Sequence, residues 1–169
     1  MGLEIRPSVA EYAMNRVSTP HWNLKGQVYF IGCNANVDLE RILGEYSSGS
    51  NNDTAGKLET VSIQFPDPHF KSAHKKRRVV NPELIVTLAK YMDSNTEVFL
   101  QSDIQEVLDD MRECFREFPV YFIDQISNVE EYMENNPMGI PTEREVSVLD
   151  KGLPVFRTVF KRTSNPVTN

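Results

Sequence analysis

The chain has 169 residues, of which 40% are hydrophobic, and it carries a formal net charge of −6. This length and composition predict one globular domain, residues 1–169, with a hydrophobic core, and they exclude a chain that is disordered throughout. The two cysteines, Cys33 and Cys114, are too few and too far apart for a disulfide framework or a metal site. No run approaches the roughly 18 apolar residues that a membrane-spanning helix needs. We therefore expect an intracellular protein with no metal and no membrane segment.

Predicted strands and helices alternate along the chain. Residue patterns predict strands at 2–5, 27–33, 58–65, 97–101 and 153–161, and helices at 8–17, 37–46, 82–92 and 103–118. Asn81 followed by Pro82 is typical of a helix start, with asparagine as the N-cap and proline in the first helical position. Residues 47–57 are polar and predict a surface loop. The alternation of apolar and polar residues at 153–161 predicts a strand with one solvent-facing side.

This order of elements predicts an α/β fold whose sheet contains parallel strands joined by right-handed crossovers. Ligands of such sheets bind beyond the carboxyl ends of the strands. Four polar residues end or follow predicted strands, namely Glu4, Asn34, Asp67 and Asp103. We therefore expect the binding site at this edge of the sheet.

The strongest local motif surrounds Asp67. It reads Phe65-Pro66-Asp67-Pro68-His69-Phe70-Lys71 and continues as His74-Lys75-Lys76-Arg77-Arg78. Each proline fixes its own backbone and restricts the residue before it, so the Asp67 carboxylate is expected on stiff backbone at the mouth of the sheet. Five of the 18 lysines and arginines lie within residues 71–78, a window without acids. This segregated charge suits an anionic partner such as a nucleic acid, although a turn aspartate followed by a solvated charge run remains the alternative.

Several blocks of the chain, in this order, resemble the tRNA (guanine-N7)-methyltransferases. They are Glu4-Ile5-Arg6, Asn34-Ala35, the motif around Asp67 with its basic run, Gln101-Ser102-Asp103, the block from Asn135 to Glu145, and the closing segments 153–157 and 160–162. The resemblance covers nearly the whole chain. It implies a class I S-adenosylmethionine-dependent methyltransferase with a Rossmann-like sheet, which methylates N7 of a variable-loop guanine in tRNA.

The resemblance also implies a role for each matching residue. Asp67 would be the catalytic-site acid, and the cofactor S-adenosylmethionine would contact Glu4, Arg6, Asn34, Ala35 and Asp67. Substrate and tRNA would contact Lys71, His74, Lys75, Lys76, Arg77, Arg78, Asp103, Thr142, Glu143, Arg144 and Glu145. Structural alternatives stay open for three of these residues. Glu4 would then be a surface acid, Asn34 a helix cap, and Asp103 an N-cap that forms a capping box with Glu106.

The chain departs from the family pattern before Glu4, where the first strand and a glycine-rich cofactor loop are expected and not found. We therefore predict a partial methyltransferase domain with an exposed apolar sheet edge. A non-catalytic tRNA-binding relative and a truncated inactive isoform are the alternatives. Some resembling eukaryotic enzymes also use a β-propeller subunit, so such a partner is left open. The histidine after the FPDP motif resembles eukaryotic members, whereas the block 135–145 is similar to cyanobacterial and plastid forms, so the compartment within the cell stays open.

Overall fold

The computed structural model describes residues 1–49, 56–68 and 78–167. The elements in chain order are β1 (Gly2–Glu4), α1 (Pro7–Val17), β2 (Phe30–Gly32), α2 (Ala35–Ser48), β3 (Leu58–Gln64), α3 (Pro82–Tyr91), β4 (Met92–Ser102), α4 (Gln105–Arg116), β5 (Phe122–Asp124), α5 (Glu143–Leu149) and β6 (Phe156–Arg162). Strands and helices alternate through most of the chain, so the α/β prediction is confirmed.

The strands form two sheets. Strands β1 and β2 make a parallel pair, and the second sheet has the order β3-β4-β6-β5. Strand β3 runs parallel to β4, whereas β6 is antiparallel to both of its neighbours. Helix α2 packs against α3, and Lys90 of α3 contacts Glu40 of α2 at 2.6 Å, so these two helices connect the halves of the molecule.

The hydrophobic core lies between the four-stranded sheet and helices α2, α3 and α4. Phe115 of α4 is fully buried, stacks on Phe160 of β6 at 4.9 Å between ring centroids, and meets Phe122 of β5 edge-on at 5.2 Å. Such aromatic pairs contribute about 0.5–1.5 kcal/mol beyond their burial. Helix α4 is thereby fixed across the two strands that close the sheet.

The element predictions are correct at most places and wrong at some boundaries. Asn81 caps α3, because its Oδ1 accepts a hydrogen bond from the Leu84 amide at 2.8 Å, and Pro82 opens the helix. Helix α2 extends to Ser48, into the stretch predicted as a loop, and residues 50–55 of that stretch lie outside the described residues. Strand β5 and helix α5 were not predicted from the sequence. They are three and seven residues long and have too little periodicity to be recognised.

Two further expectations are corrected by the structure. Strand β6 has no solvent-facing side, because five of its seven residues, Arg157 among them, are buried and the other two are half-buried. Asp103 does not cap α4. The N-cap is Ile104, which has no side-chain cap bond, and Asp103 instead forms an ion pair with Arg144.

Among the described helices, none is long and apolar enough to cross a membrane.

Candidate functional site

A groove of about 1170 Å³ runs between β1 and β3. All five residues predicted to contact the cofactor line it, together with Thr142 from the start of α5; these five are Glu4, Arg6, Asn34, Ala35 and Asp67. They follow or end three strands, and they lie at the carboxyl ends of those strands, where the sequence predicted the binding site. The groove is therefore the candidate site.

Glu4 ends β1 and holds Arg6. Its Oε1 accepts hydrogen bonds from the Arg6 amide at 3.0 Å and from Arg6 Nε at 2.9 Å. The side-chain bond from Arg6 holds the pKa of Glu4 below its ordinary value, against the opposing effect of partial burial. Oε2 makes no hydrogen bond to the described residues, so an ionised acceptor atom remains for a ligand hydroxyl group.

Asn34 starts α2 as a helix cap, and that alternative is confirmed. Its Oδ1 accepts from the Asn36 amide at 3.1 Å, while its own amide donates to Asp38. Asn36 was not predicted, yet it also lines the groove. Its Nδ2 donates to the Arg78 carbonyl at 2.9 Å, and its buried Oδ1 has no partner among the described residues. A purine amino group or a ribose hydroxyl would satisfy this acceptor.

Asp67 is exposed at the end of a constrained turn. Phe65, directly after β3, has φ of 49°, a left-handed conformation that is costly for a bulky side chain, and its amide is anchored to the Gln101 carbonyl at 2.8 Å. The turn directs the chain out of the sheet, and Pro66 and Pro68 stiffen both sides of Asp67. Asp67 also borders a second cavity of about 340 Å³ that is lined by Arg78 and Asp110 among others.

Thr142 and Glu145 form a capping box at the start of α5. Thr142 Oγ1 accepts from the Glu145 amide at 3.1 Å, and Glu145 Oε2 accepts from the Thr142 amide and from Asn136. Glu145 is only 2% exposed, and its Oε1 accepts from Arg157 Nη2 at 2.7 Å. Its predicted contact with substrate is untested. In this structure the carboxylate bonds to protein groups and fixes Thr142 beside the groove.

Glu145 is ionised in its buried position. Burial raises the pKa of its carboxyl group, but the nearby Gln101 amide and the hydrogen bonds from Arg157 and Asn136 together outweigh burial, and the pKa lies below the ordinary value. Arg157 is 5% exposed, so the pair is shielded from solvent on both sides. Breaking such a pair by removing one partner costs about 3–5 kcal/mol, because a buried charge is left alone.

Glu143 and Arg144 are exposed and each forms one ion pair. Glu143 meets Arg16 of α1 at 2.7 Å, and Arg144 pairs with Asp103, which follows β4. Helix α5 thus contacts α1 through Glu143, and it contacts the residue that follows β4 through Arg144. Three of the predicted substrate residues, Asp103, Thr142 and Arg144, therefore lie on neighbouring elements.

A row of polar side chains crosses three strands beside these residues. Gln64 of β3 is aligned with Gln101 of β4, and Gln101 is aligned with Arg157 of β6. Each has a buried polar atom without a standard hydrogen bond to the described residues: Gln64 Oε1, both side-chain polar atoms of Gln101, and Arg157 Nε. The Gln101 amide nevertheless lies near enough to Glu145 to lower the pKa of that carboxyl group. This row was not predicted from the sequence, although glutamine within a strand of buried residues is uncommon.

The basic run is described only at its end. The predicted tRNA-binding residues Lys71, His74, Lys75, Lys76 and Arg77 lie outside the described residues. Arg78 is described, and its Nη1 contacts Asp110 of α4 at 2.7 Å. Its carbonyl binds Asn36, so Arg78 connects the end of the basic run with the wall of the groove.

Comparison with known proteins identifies the family. A family model described as "Putative methyltransferase" matches residues 1–158. The tRNA (guanine-N(7)-)-methyltransferase of Synechococcus elongatus is 41% identical over 162 residues, which cover 96% of this chain and 70% of that protein. The chain belongs to the tRNA (guanine-N7)-methyltransferase family.

Two further relatives carry the same name and are similar over nearly the whole of this chain. The protein of Microcystis aeruginosa is 43% identical over 95% of this chain and 70% of its own length, and that of Nostoc sp. is 38% identical over 97% and 69%. The chain thus spans about 70% of the length of these tRNA (guanine-N7)-methyltransferases. Membership confirms the predicted methyltransferase fold class. Among the described residues, no group of histidine, cysteine and acidic side chains is arranged to hold a metal ion.

Proposed function

We propose that this chain binds S-adenosylmethionine in the groove between β1 and β3 and methylates N7 of a variable-loop guanine in tRNA. The observation that supports it best is the convergence of Glu4, Asn34 and Asp67 on one groove. An ionised carboxylate and an unpartnered buried amide oxygen, that of Asn36, fit the hydroxyl and amino groups of an adenosine. The names of the relatives support tRNA as the substrate and N7 of guanine as the methylated atom.

The bound cofactor would supply the methyl group on a positively charged sulfur. Guanine N7 carries an in-plane lone pair and no proton at neutral pH, so the chain needs no general base for this reaction. Its contribution is alignment of the two reactants, which is worth about 7–11 kcal/mol in favourable cases. Glu4 would hold the ribose hydroxyls through its carboxylate, and Asn34 and Ala35 would border the adenine.

Asp67 would orient the reactants rather than remove a proton. It lies on a turn fixed by two prolines and by the anchored backbone of Phe65. An exposed carboxylate there can accept a hydrogen bond from an amino group of the base or the cofactor. It also places negative charge where the purine becomes cationic during transfer.

The basic run would hold tRNA through its phosphates and would not read sequence. Each neutralised phosphate contact changes the slope of log K against log salt by about 0.7–0.9. Replacing Lys75, Lys76 and Arg77 by glutamine should therefore flatten that slope by about 2–3, measured by filter binding. Replacing the exposed Lys25 and Lys151 is the matched control and should leave it unchanged. Arg78 is excluded from the triple variant because its ion pair with Asp110 also supports the fold.

The direct test is methyl transfer from tritiated S-adenosylmethionine to a tRNA transcript, alongside calorimetric binding of the cofactor. Asp67→Ala should lower kcat by about 100-fold, the size of effect seen when one polar group of a catalytic site is removed. Asp150→Asn, an exposed change at the end of α5, is the control. A transcript with 7-deazaguanosine at the target position should accept no methyl group. If Asp67→Ala retains full turnover, its assigned role is wrong. If the unaltered chain binds tRNA without binding cofactor, it is a non-catalytic RNA-binding relative.

A β-propeller partner subunit stays a prediction. Its test is separate, since a chain that needs one would show methyl transfer only when a propeller subunit is added to the same assay.

A further inference from the structure

Gln101 is a glutamine buried between the candidate site and helix α5. It lies near the end of β4 and is 0% exposed. Leu100 belongs to the hydrophobic core, and because side chains alternate along a strand, Gln101 projects from the opposite face of the sheet. On that face Glu145 of α5 bonds to Arg157, which is aligned with Gln101 on β6. An amide removed from water in this way needs hydrogen-bond partners.

The main chain of Gln101 anchors one wall of the site. Its carbonyl accepts a hydrogen bond from the Phe65 amide at 2.8 Å. Phe65 begins the turn that carries Asp67, and both residues line the groove. The backbone of Gln101 therefore fixes where this turn leaves the sheet.

The side chain of Gln101 lies beside the residue that holds the other wall. Glu145 Oε2 accepts from the Thr142 amide at 3.4 Å, and Thr142 Oγ1 accepts from the Glu145 amide at 3.1 Å. Thr142 lines the groove. Burial raises the pKa of Glu145, and the Gln101 amide beside the carboxylate has the largest opposing effect. Gln101 is thus adjacent to the carboxylate that keeps Thr142 in place.

The buried polar atoms around Gln101 complement one another. Gln64 Oε1, Gln101 Nε2 and Oε1, and Arg157 Nε have no standard hydrogen bond to the described residues. Gln64 and Arg157 are aligned with Gln101 on the two neighbouring strands, where side chains lie about 5 Å apart. An amide has two donor hydrogens and an acceptor oxygen. Its oxygen matches Arg157 Nε, and its hydrogens match Gln64 Oε1 and the Glu145 carboxylate.

We propose that Gln101 is a positioning residue, whose amide links Gln64 in the groove wall with Glu145 of α5 and so holds Thr142 beside the reacting groups. Gln101 is fully buried and acts only through these neighbours. The role rests on the proposed methyl transfer, in which Thr142 is a predicted substrate contact. Displacing a group of the site by about 1 Å can lower the rate about 100-fold, so a residue that fixes Thr142 affects turnover without contacting substrate.

The deciding variant is Gln101→Met, because methionine has a similar length and lacks the amide. Amide exchange, followed by NMR, should become about tenfold faster at Val146, whose amide donates to the Thr142 carbonyl at 3.0 Å. At Leu100 and Phe160, in the centre of the four-stranded sheet, exchange should change less than about threefold. Gln27→Met, a change at an exposed glutamine, is the matched control and should leave all three amides unaltered.

The kinetic measurement separates turnover from cofactor binding. Gln101→Met should lower kcat for methyl transfer about tenfold, while the Kd for S-adenosylmethionine changes less than about twofold, because the residues assigned to the cofactor are untouched. Thr142→Val should also lower kcat. The double variant should be no slower than the slower single variant, because both changes act through the same contact.

Three results would overturn the proposal. They are unaltered exchange at Val146, equal acceleration at Val146, Leu100 and Phe160, and kcat losses that add fully in the double variant. Should Gln101→Met fail to fold, Gln64→Leu removes one link of the same network and should speed exchange at Val146 about fivefold. An unaltered chain that transfers no methyl group would refute the proposed function, whereas the exchange comparison still decides whether Gln101 holds α5.

Discussion

Arg112 offers a sharp test of how the loop before α5 is held. This side chain of α4 is 2% exposed and donates five hydrogen bonds. One goes to Asp124 Oδ2 at 2.7 Å, and four go to the carbonyls of Ile126, Asn128, Val129 and Glu131. Asp124 is also bound by Arg116, which is half-buried and contacts it at 2.7 Å. One guanidinium thus binds four backbone carbonyls in the first part of the connection between β5 and α5.

The expected cost of Arg112→Ala follows from these contacts. Removing one member of a buried ion pair costs about 3–5 kcal/mol. Asp124 keeps Arg116 as a partner, and the released carbonyls belong to a largely exposed loop that water can reach, so we expect about 3 kcal/mol. Arg116→Ala removes a more exposed partner of the same carboxylate and should cost about 1 kcal/mol. It is therefore the matched control.

Urea denaturation, followed by amide NMR signals of β4 and β6, measures this difference. With an m value of about 2 kcal/mol/M, Arg112→Ala should lower the midpoint by about 1.5 M and Arg116→Ala by about 0.5 M. Arg112→Lys retains the charge but not the planar guanidinium group, and its urea midpoint should lie between those of the two alanine variants. Equal midpoints for the two alanine variants would refute the reasoning, since burial and the four carbonyl bonds would then contribute nothing.

Three other predictions concern separate parts of the molecule. The pKa of Glu145 is lowered in the folded chain, so its stabilising effect is present above the unfolded value of about 4.3 and is lost as pH falls through the folded value. Glu145→Gln should therefore lower the urea midpoint at pH 7 and flatten its decline below pH 5; an unchanged acid decline would contradict this. Asn81→Ala removes the cap of α3 and should cost about 1 kcal/mol in urea denaturation, which Asn81→Ser should largely restore. Burial raises the pKa of Cys114 to about 11, so about one thiol in a thousand is ionised at pH 8 and its reaction with a disulfide reagent should be slow; a rate equal to that of a free thiol would contradict this.

The sequence predicted which candidate residues lie together better than it predicted the sheet that carries them. Glu4, Asn34 and Asp67 line one groove because polar residues at strand ends are visible in the sequence and the carboxyl ends of parallel strands converge. Their roles stay predictions. Asn36 and Gln101 were missed, because their importance lies in buried amide atoms without partners, and only packing decides burial. The prediction for Asp103 shows the same limit. Its capping box with Glu106 was a valid local pattern, but a residue distant in sequence, Arg144, binds it instead.

Strand β6 shows why local periodicity was insufficient at the C-terminal end. Its alternation of apolar and polar residues predicted a solvent-facing side, yet Arg157 and Thr158 are both buried. Arg157 is accommodated because Glu145 supplies a charge from α5, and Thr158 donates to Asp124 of β5. Neither partner belongs to a segment that the sequence had identified as an element. The polar residues of this strand were therefore interpreted as solvent-exposed, because their buried partners could not be predicted from the sequence.

The division of the strands into two sheets affects how unfolding can be observed. The chain has a single tryptophan, Trp22, which lies between α1 and β2 and contacts Arg16 at 5.4 Å from the ring centroid. No strand pairing joins that half to the four-stranded sheet within the described parts of the chain. The exposed ion pairs between the halves, such as Lys90 with Glu40, each contribute no more than about 1 kcal/mol. Leu39 and Leu43 of α2 nevertheless belong to the same buried cluster as residues of the four-stranded sheet, so the two halves share one core. The unfolding midpoint from tryptophan fluorescence should therefore coincide with the midpoint from far-UV circular dichroism.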